Sequence, residues 1–109
     1  MTEILLDTTR MEWETSDAYP KGTMMKVLRD EGEVRSLLLK LPPGFHMDPH
    51  THTTNEQHFI LEGGYETGGW KFGPGTYHFL PARQNHGPYN SENGAVVLVI
   101  WEKGEPSGG

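Results

Sequence analysis

The feature that most constrains this chain is its punctuation: turn-forming residues recur every few positions, and the stretches between them suit only short strands. Residues 23–28 run into Arg29-Asp30-Glu31-Gly32, and residues 33–41 run into Pro42-Pro43-Gly44. Residues 57–61 end at Glu62-Gly63-Gly64, residues 70–72 at Gly73-Pro74-Gly75, and residues 76–80 at Pro81. Glycine and proline break regular backbone, while the β-branched and aromatic residues between them favour extended structure. Residues 95–101 form a nearly continuous apolar run, which predicts a strand buried on both faces. Helical spacing is weak throughout, and the nearest stretch, residues 3–13, is interrupted by Thr8-Thr9. Short strands at this spacing predict an all-β sandwich or barrel.

At 109 residues, the expectation is one domain over residues 1–109 with one modest core. Residues 103–109 read as a frayed tail. Acidic residues outnumber basic ones by 15 to 9 without any basic run, which argues against a nucleic-acid partner. No apolar stretch approaches about 18 residues, and no charged n-region precedes an apolar segment, so neither a membrane span nor secretion is expected. The chain has no cysteine. That removes disulfides, thiolate ligands and cysteine nucleophiles together, and it fits a reducing cytoplasm.

The histidines are unevenly placed. All six (positions 46, 50, 52, 58, 78 and 86) fall in the middle of the chain, among carboxylates and turn residues. In His50-Thr51-His52 the two imidazoles stand at i and i+2, which on a strand share one face and can reach one ion. A lone H-x-H is weak evidence. Glu56 adds a carboxylate oxygen four residues on, and His86 follows a proline-bounded loop that can return a third imidazole.

The spacing of these residues resembles that of the cupins. The first cupin motif is a glycine, five residues, H-x-H, three or four residues, a glutamate, six residues and a glycine. Gly44, His50, His52, Glu56 and Gly63 fill it in full. The second motif is a glycine, five residues, P-x-G, two residues, a histidine, three residues and an asparagine. Gly75, Pro81, His86 and Asn90 fill it, but Arg83 stands where the motif has glycine. If the turn needs a positive φ, Arg83 is strained there.

The resemblance implies a jelly-roll barrel of two antiparallel sheets with one divalent transition metal ion inside, held by His50, His52, Glu56 and His86. Three imidazoles and a carboxylate suit iron, zinc, manganese, nickel or cobalt rather than calcium or magnesium, and the resemblance implies iron first among them. Phe45, Met47, Phe59, Ile60, Phe79 and Leu80 are candidates to line or support the interior. His58, two residues beyond Glu56, shares its face on a regular strand. It reads first as a core histidine or a support behind the ligands; the alternatives are a neighbour of the metal that moves protons and a replacement for Glu56 as ligand. His58 and Tyr89 are the candidate catalytic groups; Tyr65 and Tyr77 are further phenols. His78 faces cavity or solvent with equal weight. Trp13, Trp70 and Trp101 read as core or interface aromatics.

The pattern from Trp13 through Pro43-Gly44, with Phe59–Gly63 and Gly75-Thr76-Tyr77, looks like the branch holding acetylacetone-type and dihydroxyacetophenone dioxygenases; Gly75-Thr76-Tyr77 with Pro81 and His86-Gly87-Pro88 resembles the cupin domain of zinc-containing anti-sigma regulators in the same branch. The dioxygenase likeness implies a dioxygenase-like enzyme acting on a small oxygenated organic substrate. The alternatives are a metal-binding sensor or structural module, or a cupin of the sugar-acid isomerase or lyase type. A homodimer formed through outer strands is also implied by the resemblance.

Overall fold

The computed structural model describes residues 2–103. A single 3-10 turn, Thr8–Arg10, follows an extended N-terminal stretch. Ten strands follow in order: β1 (Glu14–Thr15), β2 (Met24–Asp30), β3 (Val34–Leu41), β4 (Phe45–Met47), β5 (Thr54–Gly63), β6 (Tyr65–Thr67), β7 (Trp70–Phe72), β8 (Tyr77–Leu80), β9 (Tyr89–Ser91) and β10 (Ala95–Lys103). They form two antiparallel sheets, ordered β1-β2-β3-β10-β5-β8 and β4-β9-β6-β7. This is the two-sheet jelly roll expected from the sequence. Lys103, assigned to the tail by sequence, pairs with Thr54 as the last residue of β10. Residues 104–109 of that tail lie outside the described residues.

Strand alternation builds the core. Leu37, Leu39 and Leu41 of β3, Ile60 of β5, Leu80 of β8 and Ala95, Val97 and Val99 of β10 are all buried. Phe45, Tyr65 and Tyr89 close the core from the smaller sheet. Each fully buried aliphatic side chain contributes about 1.5–3 kcal/mol through removal of apolar area from water. The central strand β10 departs from the expectation of burial on both faces. Ala95, Val97 and Val99 are buried and Val96, Leu98 and Ile100 are half-buried, because only the inner face meets the second sheet.

One glycine sets the tight approach behind the site. Gly63 has φ +65, and a Cβ there would stand 2.2 Å from the Gly94 carbonyl oxygen. Only glycine permits β5 to leave the sheet at that point. Beside it the β5–β10 register shifts by one residue between Val96 and Val97, a bulge that takes up Leu61.

Candidate metal centre

The four expected ligands come from two chain segments that the backbone ties together. His50 and His86 form an isolated antiparallel bridge, their amides and carbonyls exchanged at 2.9 and 2.8 Å. The Arg83 amide donates to the His52 carbonyl at 2.8 Å, and the Ala82 amide to Asn55 Oδ1 at 2.9 Å. Arg83 reaches that carbonyl with φ 62, the only positive φ of a non-glycine among the described residues. The strain anticipated where the motif has glycine is therefore present. The regular H-x-H strand expected from the sequence is not: only His50 is bridged, and residues 51–53 are irregular. The tight loop closure, not a shared strand face, sets the two imidazoles side by side.

The rings of His50 and His52 stand 5.4 Å apart between centroids, and those of His52 and His86 stand 5.3 Å apart. Each ring is anchored to a backbone carbonyl: His50 Nδ1 to Asp48 at 3.2 Å, His52 Nδ1 to Thr54 at 2.9 Å and His86 Nε2 to Pro81 at 2.8 Å. A carbonyl only accepts, so each anchoring nitrogen must donate. In the neutral imidazole the opposite nitrogen then carries a lone pair. All three rings are thus fixed in a tautomer that leaves one nitrogen able to bind a metal.

Glu56 is the buried anion of the site, 5 % exposed. Its Oε2 lies 2.6 Å from His52 Nε2 and its Oε1 lies 3.2 Å from His58 Nε2. Burial pushes its carboxyl up. The hydrogen bond and charge of His58, a hydrogen bond from Trp101 and the charge of His52 together outweigh this and hold it below the usual range. His52 Nε2 is itself buried and, despite that short distance, makes no hydrogen bond of good geometry. Among the described residues, no three donor atoms of the set converge as they do around a bound ion.

His58 continues the polar chain inward. Its Nδ1 is 3.1 Å from the Tyr65 hydroxyl, which lies 3.0 Å from His78 Nδ1. Glu56 accepts from His58 Nε2, so in neutral His58 the bare Nδ1 accepts the Tyr65 proton, and Tyr65 in turn accepts from His78. His78, given equal weight inward and outward by sequence, points inward onto Tyr65. Burial lowers its pKa, helped by the charges of His58 and His86. Tyr89 is buried with its ring 6.3 Å from those of His50 and His58. Burial and then the Glu56 charge raise its phenol well above the ordinary value, so it stays protonated.

Two spaces flank Glu56. A hollow of about 330 Å³ at the mouth is lined by Ala18, Tyr19, Met47, Thr54 and Trp101 together with His50, His52 and Glu56. Deeper in, a space of about 40 Å³ reaches His58, Tyr65 and Tyr89 between apolar walls. Phe45, Met47, Ile60 and Leu80 support the interior as expected, whereas Phe59 and Phe79 point outward at 40 % and 44 % exposure. Tyr77 also faces outward and bonds Gln57 at 2.9 Å. Sequence reasoning missed Tyr19, which lines both spaces from irregular chain ahead of β2. No periodicity marks a residue in such a segment. His46 stands outside the site, held by Asn90 and Asp48 at 2.6 and 2.9 Å.

A two-sheet antiparallel jelly roll with a histidine-rich, carboxylate-bearing interior defines the chain as a cupin. More narrowly, the ChrR cupin-like domain family matches residues 1–103, and the chain belongs to it. No curated protein matches the chain. Among solved structures, the complex of Rhodobacter sphaeroides SigE with the anti-sigma ChrR superposes with TM-score 0.70 at 21% identity, over 85% of this chain and 50% of that one. The present chain therefore spans half the length of that relative. An acetylacetone dioxygenase from Acinetobacter johnsonii gives TM-score 0.79 at 14% identity, over 94% and 75% of the two chains. KdgF from Halomonas sp. gives 0.75 at 16% identity, over 96% of each. Identities this low carry the fold alone.

Proposed function

We propose that this chain is a mononuclear metal-dependent cupin in which His50, His52, Glu56 and His86 hold one divalent transition metal ion. We take it to be a dioxygenase-like enzyme acting on a small oxygenated organic molecule. The observation that carries the reading is His52 Nε2, a buried nitrogen without a hydrogen bond, facing a buried carboxylate oxygen. An unsatisfied buried group of this kind is costly unless a ligand completes it. The donor set fits the metal chemically, with three imidazoles held in binding tautomers and one anion. When bound, the ion supplies Lewis-acid chemistry, and oxygen chemistry if it is iron.

The chain's own groups do the rest. Glu56 presents one oxygen toward His52 and keeps the other on His58. His58 holds that carboxylate in place and, through Tyr65, connects it to His78. Tyr89 remains a neutral phenol beside His50. Tyr19, Met47 and Trp101 give the mouth apolar walls, and its volume suits a small organic molecule.

A sensory or structural role is the second reading, favoured by membership of the ChrR cupin-like family. Elemental analysis of protein purified without chelators, followed by an oxygen-electrode screen with diketones and hydroxyketones, separates the two. Oxygen uptake by iron-loaded protein supports the enzyme. Bound metal with no uptake across the panel favours the sensor. His50→Ala and His86→Ala are each expected to remove most bound metal, and full occupancy in both variants would sink the ligand assignment.

A further inference from the structure

The core of this barrel stops short of the metal centre. The space of about 40 Å³ left there is walled by Leu39 and Leu41 from β3, Leu80 from β8, Val97 and Val99 from β10 and Phe45 from β4. All six side chains are buried. Packed interiors leave few voids larger than a water molecule, because wall atoms beside a gap lose their dispersion contacts. Here two valines, rather than longer side chains, face the gap from the central strand. The space also reaches two of the proposed ligands. His50 and Glu56 line it and the mouth alike, as do Tyr19 and Met47. The ligand set is thus approached from the barrel interior as well as from the mouth.

Size and polarity decide what the inner space suits. On the same scale about 10–15 Å³ admits one water, and pockets for organic ligands begin at about 300 Å³. A volume of about 40 Å³ is therefore room for a molecule of about two or three heavy atoms. An organic substrate fits only the mouth, at about 330 Å³. A buried water needs about two to four polar partners, and the polar lining is largely engaged. His58 uses both ring nitrogens, on Tyr65 and Glu56, and the Tyr65 hydroxyl lies between His58 and His78. Glu56 turns its two oxygens to His52 and His58. Apolar gaps of this kind take apolar guests such as xenon instead.

We infer that this inner space is a binding site for dioxygen, which reaches the metal centre from the barrel interior while the organic substrate occupies the mouth. Dioxygen is apolar, has two heavy atoms and asks for no hydrogen bond, so leucine and valine walls hold it without leaving a polar group unsatisfied. Separate approaches keep the larger substrate from blocking the smaller one. The use of the bound gas rests on the enzyme reading given above; the binding itself rests on the cavity alone.

Methyl NMR of the metal-free chain under nitrogen, dioxygen and xenon is the test. Dioxygen is paramagnetic, so methyl groups beside a bound molecule relax faster. The Val97, Val99 and Leu80 methyls are expected to relax faster under dioxygen than those of Leu37 and Ile60, which are as deeply buried but lie outside the lining. The same methyls should shift saturably under xenon. Val99→Leu adds one methylene to the gap and is expected to remove both effects from Val97 and Leu80. Val97→Leu serves if Val99→Leu does not fold. In iron-loaded protein either variant should raise KM for dioxygen roughly 5-fold or more, with KM for the organic substrate within about twofold. Lining methyls that relax no faster than Leu37 and Ile60 would overturn the inference, as would a missing xenon shift or effects that survive both filling variants. Oxygen uptake whose KM for dioxygen is unchanged in a variant that no longer takes xenon overturns it too. Absence of uptake by the parent protein sinks the enzyme reading alone, and the methyl measurements still decide whether the gas site exists.

Discussion

Replacing His58 with phenylalanine isolates what that imidazole does, because the ring volume is nearly kept and both hydrogen bonds are lost. Glu56 Oε1 then loses its partner at 3.2 Å, while Tyr65 keeps His78 at 3.0 Å. Orphaning one oxygen of a buried carboxylate costs about 1–3 kcal/mol. In a domain of this size each kcal/mol moves the melting midpoint by about 4–8 °C, so a drop of roughly 5–20 °C is expected. Losing a group that orients a metal ligand weakens metal binding about 10–100-fold, equivalent to about 1.4–2.7 kcal/mol. The assays are calorimetry of chelator-treated protein and competition against a chromophoric chelator at neutral pH. Complete loss of metal binding by His58→Phe would place His58 among the ligands themselves. An affinity within twofold of the parent, with no change in midpoint, would refute the argument from the other side.

Two further outcomes follow from groups already described. Arg83→Gly relieves a positive φ on a side-chain-bearing residue and is expected to raise stability by about 0.5–1 kcal/mol, read by urea unfolding; a loss of stability would show that the arginine side chain compensates its backbone. Stability of the metal-free protein should fall on acidification. The depressed Glu56 carboxyl contributes stability that is present above its ordinary value of 4.5 and lost as pH drops through the folded value. His78, depressed from 6.5, adds to this, since the unfolded chain takes up its proton first as pH falls below that point. His46 is shifted up by Asn90 and Asp48 and acts with the opposite sign, but it is fully solvated and screened. Unfolding midpoints that hold steady or rise from pH 7 to 4 would contradict this balance.

Much of the fold was legible because turn chemistry is local. Trp70–Phe72 has the boundaries its flanking glycines and prolines imply, and β3, β8 and β10 begin or end within one or two residues of the reading. The strands Phe45–Met47, Tyr65–Thr67 and Tyr89–Ser91 were missed because three residues are too few to show a period. They exist through pairing with distant partners, as Phe45 does with Ser91. In the site, spacing picked out His50, His52, Glu56 and His86, but not the carbonyl anchors that fix their tautomers, since any residue type supplies a carbonyl. Nor could strand parity alone place Phe59 and Phe79 on the outer face. That depended on knowing that Glu56 and Ile60 point inward.

The His50–His86 bridge has a further consequence for how the chain holds its shape. Positions 50 and 86 are 36 residues apart, and an ion shared by their imidazoles acts as a removable cross-link closing that loop. By the chain-entropy estimate used for disulfides, a loop of this length is worth about 4 kcal/mol. A chain without a single cysteine would then carry its staple in the bound metal, and the cellular supply of that metal would set how rigid the barrel is.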